Sequence, residues 1–227
     1  MESIETHKCQ YCNKTFKRER TLESHSCEPR RRYRSKKDKN VVIAYDIFNK
    51  FYKRLQHGSP DKSFNDFIKS QYYIGMVKYG TYCVNSKVIN VARYGNFLLK
   101  NEVPLDKWAL DSTYTVFLKQ VIKIESVEDA LTRTINYGLQ WGEEKHEKSN
   151  NLFRVCPSNR IIMGISVGKI SPWVLYHSSS GNEFMHENIR ALETVWELID
   201  PDFWEKKFAD NKADVTFAKE MLTMGGW

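Results

Sequence analysis

The chain has 227 residues, is 41% apolar and 13% aromatic, and carries a net charge of +7, a composition that supports a packed core and excludes general disorder. It holds no run of about 18 apolar residues, which excludes a transmembrane helix, and its start lacks the basic and apolar regions of a signal peptide. Five cysteines, three of them between positions 9 and 27 with Cys83 and Cys156 isolated, argue against a disulfide framework and for metal binding in a reducing, cytosolic setting.

The charge is uneven. Residues 1–40 hold 12 Lys/Arg against 6 Asp/Glu, so nearly all of the excess sits in the first sixth of the chain. Such an asymmetry points to a terminal element that contacts nucleic acid.

Residues 1–28 form the first element. Cys9 and Cys12 have two residues between them, Phe16 and Leu22 follow, and His25 comes after a twelve-residue gap from Cys12. The spacing predicts two thiolates on a hairpin knuckle and a histidine from the next helix, around one structural Zn2+ that supplies most of the folding free energy. Cys27 is the nearest soft donor for the fourth place; His7 and, more distantly, His57 compete for it. Positions i and i+2 of a helix point to different sides, so Cys27 can serve only if the helix unwinds at His25. Glu28-Pro29 favours that exit.

The Cys-x2-Cys pair, the gap to His25 and both apolar positions resemble the Cys-Cys-His-His zinc-finger family over about an eighth of the chain. The departure is the last ligand, which that family places three to five residues after the first histidine. The resemblance implies a small ββα module whose helix presents base-contacting residues at −1, 3 and 6. Here those positions are Arg18, Thr21 and Ser24, with Lys14, Lys17 and Arg20 near phosphates. An arginine at −1 can donate two hydrogen bonds to a guanine edge.

Residues 29–40 read as a basic linker containing Arg30, Arg31, Arg32, Arg34, Lys36, Lys37 and Lys39. Self-repulsion and the lack of aliphatic residues argue against an independent fold there. The linker extends the footprint of a finger that alone spans about three base pairs. DNA is the expected partner, with RNA an alternative; the competing reading makes the finger a protein-docking module and the linker a solvated tether.

Residues 41–227 read as an all-α domain with a subdivision near 146–158. Val41, Ile43, Ala44, Ile47, Phe48, Phe51 and Leu55 trace one helical stripe. Ser63 heads a short helix with Phe64, Phe67 and Ile68. Further helices are predicted over 72–84, 87–99 and 105–124, and over 127–144 behind a Ser126/Asp129 capping pair. Residues 145–158 read as a loop. Residues 159–167 then form a helix closed by Gly168; Ser171-Pro172 and Asp200-Pro201 open two more, and Asp214 begins the last. The body is expected to dock on a protein partner, with no membrane contact.

Catalytic motifs are weak in this body. Gly164-x3-Gly168-Lys169-Ile170 has a gap one residue short of a phosphate loop and lacks its Ser/Thr. Glu143-x2-His146 is one half of a di-iron ligand set without its partner. His177, His186 and the Ser178–Gly181 run read as a turn rather than a catalytic serine. Trp108, Trp141, Trp173, Trp196 and Trp204 read as core. Residues 161–176 have a helix–turn–helix layout, but its second helix is apolar and is expected to pack inward.

Lys8–Cys27, Arg30-Arg31-Arg32-Tyr33, Gly168–Tyr176 and Ala218–Leu222 together resemble an uncharacterised group of proteins encoded by T-even-type tailed phages. That resemblance implies a protein of the infected bacterium's cytoplasm, or of the virion, and brings no established activity. The sequence as a whole predicts a non-enzymatic, zinc-finger nucleic-acid-binding adaptor.

Overall fold

The computed structural model describes residues 6–56 and 60–227. It is mainly α, with one two-stranded antiparallel sheet at its start. The chain divides into two compact units at Leu110/Asp111.

The first unit contains β1 (His7–Lys8), β2 (Thr15–Phe16), α1 (Glu19–Ser24), α2 (Glu28–Arg34), α3 (Lys39–Leu55), α4 (Phe64–Lys69), α5 (Tyr73–Asn85) and α6 (Val91–Lys100). Its core is the pair α3 and α5. Val41, Ala44, Ile47 and Phe48 form the buried stripe of α3, and Tyr73, Met76, Tyr79 and Cys83 face it from α5. The two helices approach so closely that a Cβ on Gly80 would stand 2.0 Å from the Asn40 carbonyl oxygen. Only glycine admits that contact. Tyr94 donates to the Trp108 carbonyl at 3.0 Å and the Trp108 indole donates to Val103 at 2.7 Å, which closes the far end of this core.

The residues read as a linker are helical. Glu28-Pro29 opens α2, Glu28 also pairs with Arg32 one turn on, and Arg31, Arg32 and Arg34 crowd the negative end of the helix dipole. The helix forms despite the remaining repulsion because two of the cations, Arg30 and Arg32, find fixed partners and Tyr33 packs. The Tyr33 ring lies 5.1 Å from Tyr11 on the knuckle and 5.8 Å from Phe64 of α4.

The second unit contains α7 (Asp111–Ile124), α8 (Val127–Lys145), α9 (Leu152–Val155), α10 (Ser158–Ser166), α11 (Pro172–His177), α12 (Ser179–Glu187), α13 (Ile189–Leu192), α14 (Trp196–Ile199), α15 (Pro201–Asp210) and α16 (Lys212–Met224). The apolar α11 packs against α8 and α16, and its Trp173, Val174 and Leu175 are buried. Inside this unit the carboxylate of Glu125, 3% exposed, pairs with Arg133 and accepts the Ser171 hydroxyl at 3.3 Å. The Ser171 N–H donates to Thr134 Oγ1 at 2.9 Å.

Several expectations are adjusted locally. The segment read as one helix over 105–124 is a single turn at Leu105–Lys107 followed by α7, and the loop at 145–158 holds α9. The full reciprocal capping box lies at Ser63/Asp66; at Ser126 only the hydroxyl's half of the exchange is made. Gly168 ends α10 with φ +78°, as its place after the apolar run suggests. The Ser178–Gly181 run is not a turn but the start of α12, where Ser178 accepts the Gly181 N–H. Trp196, expected in the core, is exposed at 39%, whereas Trp108, Trp141, Trp173 and Trp204 are buried. No helix among the described residues is long and apolar enough to cross a membrane.

Candidate metal centre

The hairpin pairs His7 with Phe16 and Lys8 with Thr15. Between the strands, Cys9 donates its N–H to the Lys14 carbonyl at 2.9 Å and Asn13 returns a bond to Cys9 at 2.9 Å, with Asn13 in the left-handed region at φ 62°. Asparagine tolerates that conformation better than most residues. The turn folds the Cys9–Cys12 knuckle inward. Phe16 then packs on the His25 ring at 4.8 Å between centroids, so the small core itself orients the imidazole.

The i, i+2 problem at His25 and Cys27 has a backbone solution. Helix α1 ends at Ser24, and both His25 and Cys27 are extended. Their side chains therefore turn to the same centre. Cys9, Cys12, His25 and Cys27 bring four donor atoms within 4.8 Å of one another. Cys9 Sγ lies 3.9 Å from Cys27 Sγ, and Cys12 Sγ lies 3.2 Å from His25 Nε2. A tetrahedral zinc with bonds of about 2.3 Å to sulfur and 2.0–2.1 Å to nitrogen separates its donors by roughly 3.5–3.8 Å. Three soft thiols and an imidazole at these spacings fit such an ion. Among the described residues His7 is not part of this cluster, and His57 lies outside them.

The thiols are electrostatically unequal. Burial pushes the Cys9 thiol up, but N–H donors from Cys12 and Tyr11 and the neighbouring thiols outweigh it and hold the group below its ordinary range. Cys27 is pushed up by burial and by the other two thiols, against one backbone N–H from Arg30.

The expected nucleic-acid residues fall into two classes. Lys14, Lys17, Arg18, Arg20, Thr21 and Ser24 are exposed on the finger, as are Arg31, Arg34, Lys36, Lys37 and Lys39 in the following segment. Lys14 leans over Phe16, and Lys36 lies 5.4 Å from the Phe64 ring. Ser24 donates its hydroxyl to the Arg20 carbonyl at 3.0 Å. Arg30 and Arg32 are held inside the first unit. Arg30 Nη1 donates to the carbonyls of Leu22, Glu23 and His25 at the end of α1. Arg32 Nη1 donates to Ile68 at 2.6 Å, and its guanidinium lies 4.3 Å over Tyr73.

Sequence reasoning missed the Arg30 and Arg32 anchors and the Tyr11–Tyr33 contact. The one available signal was Glu28-Pro29, which starts a helix as readily as it ends one. In comparisons with known proteins the chain matches no family model, no curated protein and no solved structure.

Proposed function

We propose that Cys9, Cys12, His25 and Cys27 hold one structural Zn2+, and that the finger so organised binds nucleic acid, DNA in the first place, without catalytic turnover. The observation that carries this reading is the outward presentation of α1. Helix α1 starts at Glu19, so Arg18, Thr21 and Ser24 occupy −1, 3 and 6, and all three are exposed. By helical spacing Thr21 and Ser24 share one face of α1 with Arg20 at its edge, while Glu19 and Glu23 stand one turn apart on the other side. The ion belongs to the scaffold: four protein donors leave no open position for a substrate. Location in the cytoplasm of an infected bacterium, or in a virion, belongs to the same reading.

A protein partner for the second unit is supported by α16. Phe217, Met221 and Met224 are 36%, 42% and 83% exposed and follow i, i+4, i+7 spacing, an apolar stripe left on the surface. In this reading the finger holds nucleic acid and the second unit docks on protein.

The test is binding of the zinc-loaded full chain to labelled random duplex DNA across a salt series. Phosphate contacts require log K to fall steeply and linearly with log salt. Binding that is absent, or indifferent to salt, would leave the finger as a protein-docking module.

A further inference from the structure

Helix α2 carries four arginines in seven residues, and the fold uses them in two ways. Arg30 and Arg32 are committed to carbonyls at the ends of α1 and α4. Arg31 and Arg34, three residues apart and so on one face, are exposed and form no ion pair with any described residue. Lys37, three residues further on in the 3-10 turn Ser35–Lys37, is exposed and unpaired in the same sense. A flexible arm would relax the repulsion between such like charges by spreading. Here the helix is pinned by Arg30 and Arg32, so the repulsion persists until an anion relieves it.

The aromatic side chains narrow the choice of anion. Single-stranded nucleic acid is held by stacking its bases on free aromatic faces. On the finger and α2 the rings are engaged with one another: Phe16 with His25, and Tyr11 with Tyr33, which also meets Phe64. The short side chains of Thr21 and Ser24 leave α1 a narrow face, with the long Arg18 at its start, suited to the wide major groove of DNA. The deep, narrow major groove of duplex RNA does not admit side chains of this kind.

We infer that the ligand of this surface is the phosphate backbone of double-stranded DNA, gripped without regard to base sequence by Arg31, Arg34 and Lys37 on the pinned α2. The inference rests on the nucleic-acid reading above and adds the ligand class and the element that grips it. The grip is a second contact beside the finger helix, fixed in place by the fold rather than trailing from it.

The experiment compares three full-length, zinc-loaded proteins: wild type, R31Q/R34Q/K37Q, and the control K78Q/K100Q/K107Q. The control removes the same charge from three other exposed lysines of the first unit. Each binds random duplex DNA, and single-stranded DNA of equal length, over a salt series, with circular dichroism confirming that the folds match. Each lost phosphate contact lowers the slope of log K against log salt by about 0.9, so the α2 variant should flatten the duplex slope by nearly three units. The control should leave it unchanged, and wild type should favour the duplex. Equal flattening in both variants, an unchanged slope in the α2 variant, or a preference for single strands overturns the assignment. Wild type that binds neither nucleic acid overturns the underlying reading as well, which separates the two failures.

Discussion

The guanidinium of Arg30 donates to the main-chain carbonyl of His25, so a side chain of α2 is fastened to a residue of the four-donor cluster. The same nitrogen also reaches Glu23 at 3.0 Å and Leu22 at 3.2 Å. It supplies a donor to carbonyls at the end of a helix, where the regular ladder runs out; the Leu22 carbonyl also accepts the His25 N–H at 3.1 Å. Cys27 completes the link, since it contributes a thiol to the cluster and is the residue from which α2 begins.

Arg30→Ala should therefore weaken the finger without touching a donor atom. Losing a charged donor to partly buried carbonyls costs about 1–3 kcal/mol. The expected result is faster zinc loss to a chelator, with Arg30→Lys intermediate because a lysine offers one point charge in place of a planar fork. Zinc release at the wild-type rate from Arg30→Ala would show the clamp to be idle.

Thiol reactivity should separate the cysteines. Burial pushes the Cys83 thiol up to about 12 and also raises Cys156. A raised pKa means less thiolate at any pH below it, so both should resist alkylation near pH 8 while the protein is folded. Cys9, Cys12 and Cys27 should be protected by metal and react after chelation. Mass spectrometry with and without a chelator reads this directly; labelling of Cys83 before the finger thiols would contradict it.

How much of this was legible beforehand varied along the chain. The donors announced themselves because metal ligation fixes both residue type and spacing, and Phe16 and Leu22 marked the core that supports them. The stripe on α3 and the Ser171-Pro172 and Asp200-Pro201 starts were readable because periodicity and capping are local. The state of residues 29–40 was not. Their helix depends on the carbonyls of His25 and Ile68 and on the rings of Tyr11 and Phe64, contacts that local sequence does not encode. The break at residues 108–110 between the Leu105–Lys107 turn and α7 was hidden for the same reason: Trp108 is held by Tyr94 and Val103.

Gly80→Ala tests the close packing of α3 on α5. The added carbon meets a backbone oxygen at 2.0 Å, which cannot swing aside as a side chain would. Overpacking of this sort costs about 1–3 kcal/mol or more. A clear drop in the thermal midpoint is expected, whereas an unchanged midpoint would mean that α3 and α5 lie farther apart.

Glu125→Ala probes the second unit. The substitution leaves Arg133, only 18% exposed, without its carboxylate and removes the acceptor of Ser171 Oγ. Breaking such a pair from one side costs about 3–5 kcal/mol. Chemical denaturation should show a loss of that order. A change below about 1 kcal/mol, the range of an exposed pair, would place the pair in solvent.

The most direct measurement is the zinc content of the purified full chain, taken beside Cys12→Ser, Cys27→Ser and His7→Ala. One zinc per chain is expected in wild type and in His7→Ala, with the ion lost or far more readily chelated in the two cysteine variants. Wild type without stoichiometric zinc, or a chain that keeps its ion without Cys27 and loses it without His7, would contradict the metal centre on which the finger, α2 and the proposed DNA grip depend.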